Sequence, residues 1–415
     1  MDESQPPPYL LIINDNDGKM SAGIARMLHP NAVVIPTYYG KPYPREKIPT
    51  GSKVIISGFS FPMDKMKEIA EKNTLYWFDH HYNAIEEAGS SGLECKGLQE
   101  EDGSGCELMY KYFFPDQPMP TTLINVGKYK RWDIFDSKDP LILFHGLNTE
   151  NLYPGEKTFN QISQIIRNDY DMCTTIMTKG AVILDYLTKR DECIARDIAF
   201  TTEKDGHKFM AANIRGSNSL LFSGMITDSH KASIAFGYTP RYSSFRFSIY
   251  QNDLAFDVGD YARSHNGNGG TGAAGWGSDT ICIPTPTPNL DVCKYEDHLA
   301  SIKALHSNNV IRKYLALNDR ISTAIMGRKR KLCGKYSFIV NNPFTWPELW
   351  DEVDTTGVSY GVNFVLTNTG YWRVIVHSLD GSPVDSVIEA LNGKDVNGAC
   401  WTYLTTDQMK EYKLI

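Results

Sequence analysis

Apolar runs of three to five residues recur along the first part of the chain, separated by turn residues and stretches of helical spacing. Tyr9-Leu10-Leu11-Ile12-Ile13 is continuous rather than alternating, as expected of a strand buried on both faces. It runs into Asn14-Asp15-Asn16-Asp17-Gly18, a cluster of turn formers, and Met20 to Leu28 then has helical spacing. Ala32-Val33-Val34-Ile35 and Val54-Ile55-Ile56 predict two further strands, and a helix follows from Met63 to about Ala70. Leu75-Tyr76-Trp77-Phe78 predicts a fourth strand, ending on Asp79-His80-His81. Strands alternating with helices at this spacing predict an α/β domain with a doubly wound parallel sheet. Ligands of such sheets gather at the carboxyl ends of the strands. Asp15, Asp17 and the Asp-His-His triplet all belong there.

Beyond this, Ser104 to Phe114 predicts an amphipathic helix, and residues 160–200 carry helical spacing through Ile162, Ile165, Ile166, Ile176, Val182, Ile183 and Tyr186. Phe209 to Ile249 returns to strand-type alternation. A glycine-rich stretch follows from Asn266 to Gly277, and Pro284-Thr285-Pro286-Thr287-Pro288 reads as a stiff linker. Residues 296–326 are expected to be helical, and Arg328-Lys329-Arg330-Lys331 a solvated connector face. Two segments share one order of features: a strand carrying Arg, a short helix, a turn and a small-residue run ending in Trp. They are Phe245-Arg246-Phe247-Ser248-Ile249 through to Trp276, and Trp372-Arg373-Val374-Ile375-Val376 through to Trp401. A duplicated module is inferred, with most glycines of the first copy missing from the second. The resulting plan is a domain over 1–150, a helical connector over 151–204, a smaller α/β domain over 205–283, a linker with helices over 284–334, and a degenerate repeat over 335–415.

Composition narrows the class. The chain has 415 residues, a formal net charge of -7 and 41% hydrophobic residues, which is globular rather than disordered or fibrous. No apolar run is long enough for a membrane-spanning helix. The acidic balance argues against an extended nucleic-acid surface but leaves room for a local phosphate site. The eight cysteines, at 95, 106, 173, 193, 282, 293, 333 and 400, form no CxxC pair, so they read as scattered thiols. The proline-rich, acidic start carries no basic leader, giving a cytoplasmic expectation with the mitochondrial matrix or another organelle left open.

Carboxylates and imidazoles at Asp15, Asp17, Asp79, His80 and His81 are ligands suited to Mn²⁺ or a similar ion. With Asp15-x-Asp17-Gly18, Asp79-His80-His81, Ser104-Gly105 and the run from Gly267 to Gly275, the sequence resembles the DHH phosphoesterase superfamily with its DHHA1 companion domain, in its oligoribonuclease and cyclic-nucleotide phosphodiesterase branches. The resemblance covers residues 9 to 280 or so. It implies two Mn²⁺ ions that cut phosphodiester bonds in short or cyclic nucleotides, with Asp15, Asp17 and His80 as metal ligands and Asp79 and His81 in the catalytic set. Its glycine loop and an arginine imply substrate contacts at Asn268, Gly269, Gly270 and Arg246, with His265 as a partial substitute for the loop histidine. Arg246 fits a phosphate contact and a solvent-facing strand residue equally well.

The departures change the functional expectation. The family's histidine before the first aspartates is missing, since Leu11 and Ile13 are apolar. Gly58 stands where the bridging aspartate belongs, Lys130 where the fourth aspartate belongs before Trp132, and Gly270 where the loop histidine belongs. Metal catalysis needs its ligand set intact. The expectation is therefore a phosphoesterase homologue that has lost catalysis and holds no metal, acting as a structural subunit with protein partners in a larger assembly or as a non-hydrolysing nucleotide binder. The alternative is a phosphodiesterase of short oligonucleotides or cyclic dinucleotides, using Mn²⁺ or Mg²⁺.

Overall fold

The computed structural model describes residues 7–13, 15–37, 41–134, 136–150, 152, 161–167, 170–215, 218–240, 242–270, 272–288, 308–315, 327–332, 335–341, 356–396 and 398–415. Asn14, Thr271, Cys293, Cys333 and most of the helical stretch expected over 296–326 lie outside these residues. The chain divides into two compact units, 1–184 and 185–415.

The first unit alternates strands and helices: β1 (Tyr9–Ile13), α1 (Asn16–Leu28), β2 (Val33–Thr37), β3 (Lys53–Ser57), α2 (Met63–Lys72), β4 (Thr74–Asp79), α3 (Tyr82–Ser91), β5 (Lys96–Gln99), α4 (Gly105–Phe113), α5 (Thr121–Lys130), α6 (Asp139–Leu147) and α7 (Ile162–Ile166). The strands form one parallel sheet in the order β2-β1-β3-β4-β5. Both faces are covered, which is why the strands read as continuous apolar runs. Leu10 and Ile12 pack with Met20, Ile24, Met109 and Ile162 on one side. Leu11 packs with Ile56, Met66 and Trp77 on the other. Each such side chain contributes roughly 1.5–3 kcal/mol of burial.

The order reverses between β1 and β3, so a crevice opens at their carboxyl ends. The turn from β1 into α1 is tight: a Cβ at Gly18 would lie 1.9 Å from the Ile13 carbonyl oxygen. Only glycine permits that approach.

Helix α8 (Tyr170–Ile198) spans the division between the units. The second unit holds β6 (Ala199–Lys204), β7 (His207–Asn213), β8 (Ala232–Thr239), β9 (Ser244–Gln251), α9 (Val258–Ser264), β10 (Asn268–Gly269) and β11 (Ala273–Ser278), then α10 (Asn309–Leu315). It continues with β12 (Arg328–Leu332), β13 (Lys335–Asn341), β14 (Tyr360–Leu366), β15 (Trp372–Ser378), α11 (Asp385–Leu391), β16 (Lys394–Val396), β17 (Ala399–Leu404) and α12 (Thr406–Glu411). The two sheets run β10-β11-β9-β8-β7-β6 and β16-β17-β15-β14-β13-β12. Each has one parallel pair, β7 with β8 and β13 with β14. In each, a short helix follows the central hairpin. The duplication is thus a full six-stranded repeat. The basic run 328–331 belongs to the edge strand β12 rather than to a connector, and edge strands commonly carry Lys against unwanted pairing.

The two copies share one hydrophobic core, in which Phe236, Phe247 and Ile249 cluster with Phe364, Val374 and Trp372. Asn213 and Asn341, 128 residues apart, end the equivalent strands β7 and β13 and bond to each other. Asn341 Nδ2 also donates to the Phe364 carbonyl (2.7 Å), and its Oδ1 accepts from Tyr238 N (2.7 Å). Asn213 Oδ1 accepts from Leu366 N (2.8 Å), and its Nδ2 donates to the Phe236 carbonyl (3.2 Å). Among the described residues, no helix is long and apolar enough to cross a membrane.

Candidate functional site

Three strand ends and one helix start converge in the first unit. Asp15 caps α1 by accepting from Gly18 N at 2.9 Å. Asp17, in the first turn of α1, is 2% exposed. Its Oδ1 accepts from Cys106 N (2.7 Å) and its Oδ2 from Gly105 N (3.1 Å), the first amides of α4. A helix start is a favourable place for a carboxylate, because its unpaired N–H groups and dipole both favour negative charge. That start is fixed by a capping box between Ser104 and Glu107.

Gly58, just past β3, faces Asp17. Its backbone is left-handed (φ 73), and a Cβ there would lie 2.9 Å from Asp17 Oδ2. The position therefore points into the carboxylate cluster, as the resemblance requires of the missing bridging residue. Lys130, the last residue of α5, places Nζ 2.9 Å from Asp15 Oδ2. After it the chain turns through Trp132, held at φ 59 with its ring 5.6 Å from that of Tyr129.

Asp79 ends β4 with no exposed surface. Its Oδ1 accepts from His80 N (2.8 Å) and His81 N (3.3 Å) and pairs with His81 Nδ1 (2.6 Å). Asp79 Oδ2 and His80 Nδ1 are buried with no hydrogen-bond partner. The two imidazoles stack with centroids 4.3 Å apart. Burial first, and then the charge of His81, hold the His80 pKa below its usual value against the opposing pull of Asp17 and Asp79.

These donors do not fit a two-metal centre. Both oxygens of Asp15 and of Asp17 already face N–H groups or an ammonium, and position 58 has no side chain. Three ligand atoms, one each from Asp79, His80 and His81, lie within 4.8 Å of one another. That set, with two unsatisfied atoms, suits a single ion.

An adjoining cleft is lined by Asp15, Asp17 and Lys130 on its polar side and by Val126, Tyr129 and Phe144 on its apolar side. Tyr129 and Phe144 stack 3.9 Å apart.

Cys106, fully buried against Asp17, has its thiol pushed well up, first by burial and then by that charge. Thiolate is the reactive form. Iodoacetamide at pH 8 should therefore leave Cys106 unmodified in the folded protein and alkylate it in urea, as read by peptide mass spectrometry. Labelling of Cys106 in the native state would contradict this burial.

The motif spacing predicts Asp15, Asp17, Asp79, His80 and His81 at one site together with Gly58 and Lys130, and the structure brings all seven to the same sheet end. The α4 amides that hold Asp17 carry no side-chain signature, although the Ser104-x-x-Glu107 pattern marks that helix start. The other candidates belong to the second unit. His265 packs between Tyr261 and Trp276, with Nδ1 2.9 Å from the Tyr261 carbonyl oxygen and Nε2 3.1 Å from Lys204 Nζ. Asn268 and Gly269 form β10, and Gly270 N donates to the Ala273 carbonyl. Several loop glycines serve packing: a Cβ at Gly267 would meet the Gly275 carbonyl oxygen at 2.3 Å, whereas Gly270 faces open space. Arg246 is exposed on β9.

No family model matches the chain, and no curated protein matches it. Among solved structures, a pGpG-specific phosphodiesterase from Vibrio cholerae matches over 65% of this chain and 93% of its own, at 11% identity and a TM-score of 0.41. The DHH domain of a member of the s1p family of ribosomal proteins matches over 66% and 82%, at 12% identity and 0.45. CDC45 from Entamoeba histolytica matches over 99% and 95%, at 9% identity and 0.27. These scores are low, and the functional reading rests on the geometry of the site.

Proposed function

We propose that the chain is a DHH-type phosphoesterase homologue whose two-metal site has been closed by the protein's own charges. It acts without hydrolysis, as a binder of a nucleotide or related phosphate compound within a larger protein assembly. The observation that carries this reading is the Lys130 ammonium 2.9 Å from Asp15, at the position where the family pattern has an aspartate. A cation fixed in the chain supplies the charge that an exchangeable ion would otherwise bring. Gly58 supports the same reading, because it faces Asp17 without a ligand.

The test combines metal content with turnover. The protein is loaded with excess Mn²⁺, desalted, and its ions per chain are counted by mass spectrometry; pApA is then offered as substrate. The expected result is fewer than two ions and no product. Two ions per chain with hydrolysis abolished by Asp79→Ala would overturn the proposal. A second reading, a phosphodiesterase using one ion, is favoured by the unsatisfied Asp79 Oδ2 and His80 Nδ1. It requires pApA hydrolysis with a single ion bound.

A further inference from the structure

We propose that the outer face of α2, together with the chain turn at Arg45–Lys47, is a docking surface for an acidic segment of a partner protein. The proposal rests on the assembly part of the reading above and gives that assembly a contact surface. Residues 41–72 hold seven Lys or Arg against four Asp or Glu, in a chain whose net charge is -7. The fold concentrates this excess. Lys65, Glu68 and Lys72 share one stripe of α2, and the connection between β2 and β3 brings Arg45 to the same carboxylate. Glu68 Oε2 lies 3.0 Å from Lys65 Nζ, and its Oε1 lies 2.8 Å from Lys72 Nζ and 3.5 Å from Arg45 Nη1.

One carboxylate thus holds three cations. The hydrogen bonds from Lys72 and Lys65 bring the Glu68 pKa down to about 2, so it stays charged and compensates one of the three. Among the described residues, no second carboxylate pairs with any of them; Asp64 acts on Lys65 without forming an ion pair. As a stabilising device the cluster is poor, because exposed ion pairs contribute little and each added cation repels the others. An external carboxylate relieves that repulsion. The Arg45 guanidinium is 69% exposed and makes no hydrogen bond among the described residues, which leaves its fork open to such a group.

Both halves of the surface are anchored in one core. Met66 and Ile69 of α2 and Ile48 after the turn belong to a single apolar cluster, against which Tyr43 packs. The Tyr43 ring stands edge-on to Phe61 at 5.6 Å. The charges are therefore held in place before a partner arrives, which lowers the ordering cost of docking. Burial first, and then Glu68, raise the Tyr43 hydroxyl pKa, which sets this half-buried ring beside the cluster. Tyr and Arg together are the residue types that dominate protein interfaces, so the surface suits a peptide better than a bare anion. A nucleic acid fits less well, since the cations converge on one point instead of tracking a backbone, and the chain as a whole is acidic. Gly51 N donates to the Lys72 carbonyl (2.8 Å), so α2 ends at the amino ends of the strands, opposite the sheet end that holds Asp15 and Asp79.

Fluorescence anisotropy of a labelled peptide of alternating glutamate and leucine, titrated with the full chain, tests this. Saturable binding that weakens as salt is added is expected. Arg45→Glu with Lys65→Glu should weaken it at least about tenfold, a single ion-pair's worth of discrimination at such a surface. Arg45→Gln with Lys65→Gln should weaken it less, and carries the test if the first pair misfolds. Lys111→Glu with Lys189→Glu, the same charge change at two exposed lysines elsewhere, should leave it unchanged. No binding to the unaltered protein, binding unchanged in Arg45→Glu with Lys65→Glu, an equal loss in the control pair, or tighter binding of a single-stranded oligothymidylate of equal charge would each overturn the proposal. Peptide binding in a protein that also holds two Mn²⁺ and shows Asp79-dependent pApA hydrolysis would uphold this surface and overturn the non-hydrolysing reading alone.

Discussion

Placing carboxylates at the two positions where the family resemblance expects them, Gly58→Asp with Lys130→Asp, should produce a protein that takes up Mn²⁺ and whose folding depends on it. The first change sets a carboxylate against Asp17 Oδ2, 2.9 Å from the new Cβ. The second removes the ammonium from Asp15 and puts a like charge beside it. Without metal, several carboxylates then crowd one sheet end with the Lys130 ammonium gone. Left-handed backbone at residue 58 adds about 1–3 kcal/mol of strain for a non-glycine residue. The double variant should therefore melt several degrees lower in EDTA than the parent, at roughly 2–4 °C per kcal/mol for a unit of this size. A divalent ion at a hundred times its dissociation constant returns about 2.7 kcal/mol. Differential scanning fluorimetry across a Mn²⁺ titration reads both effects. A variant that folds as well as the parent and melts at the same temperature with and without Mn²⁺ would mean that positions 58 and 130 are not the lost ligand positions.

The largest loss of stability is expected from Asn341→Ala. This amide donates to Asn213 and to the Phe364 carbonyl and accepts from Tyr238 N, all in the buried seam between the two repeats. Truncation leaves the Tyr238 N–H and the Phe364 carbonyl without this partner in a buried seam, and removes one bond from Asn213. At about 1–3 kcal/mol for each of the two stranded backbone groups, the cost is roughly 2–6 kcal/mol. Asn213→Ala should cost a similar amount through Leu366 N and the Phe236 carbonyl. Because the two amides form one network, the double variant should fall short of the sum. Urea unfolding followed by tryptophan fluorescence measures this, with Trp276 and Trp372 both buried in the second unit. A loss below about 1 kcal/mol for Asn341→Ala would show that water or relaxation satisfies the seam.

The sequence by itself determined the elements whose causes are local. Continuous apolar runs such as Leu10-Leu11-Ile12 announce strands buried on both faces. Asp15 and the Ser104 capping pattern mark helix starts, because a cap is satisfied within three residues. The spacing of Arg, small residues and Trp announced the repeat, and strand order with turn residues brought Asp15, Asp17 and Asp79 to one sheet end. The tertiary structure alone decided what those groups touch. Lys130 reaches Asp15 across 115 residues, Asp17 reaches the α4 amides across 88 and 89, and Asn213 meets Asn341 across 128. The basic run at 328–331 did not announce an edge strand, because charge alone carries no periodicity. Local chemistry fixes where a chain turns and caps. Which charges neutralise one another is settled only when distant segments pack, and in this protein that packing sets a lysine where the sequence motif anticipates a metal ligand.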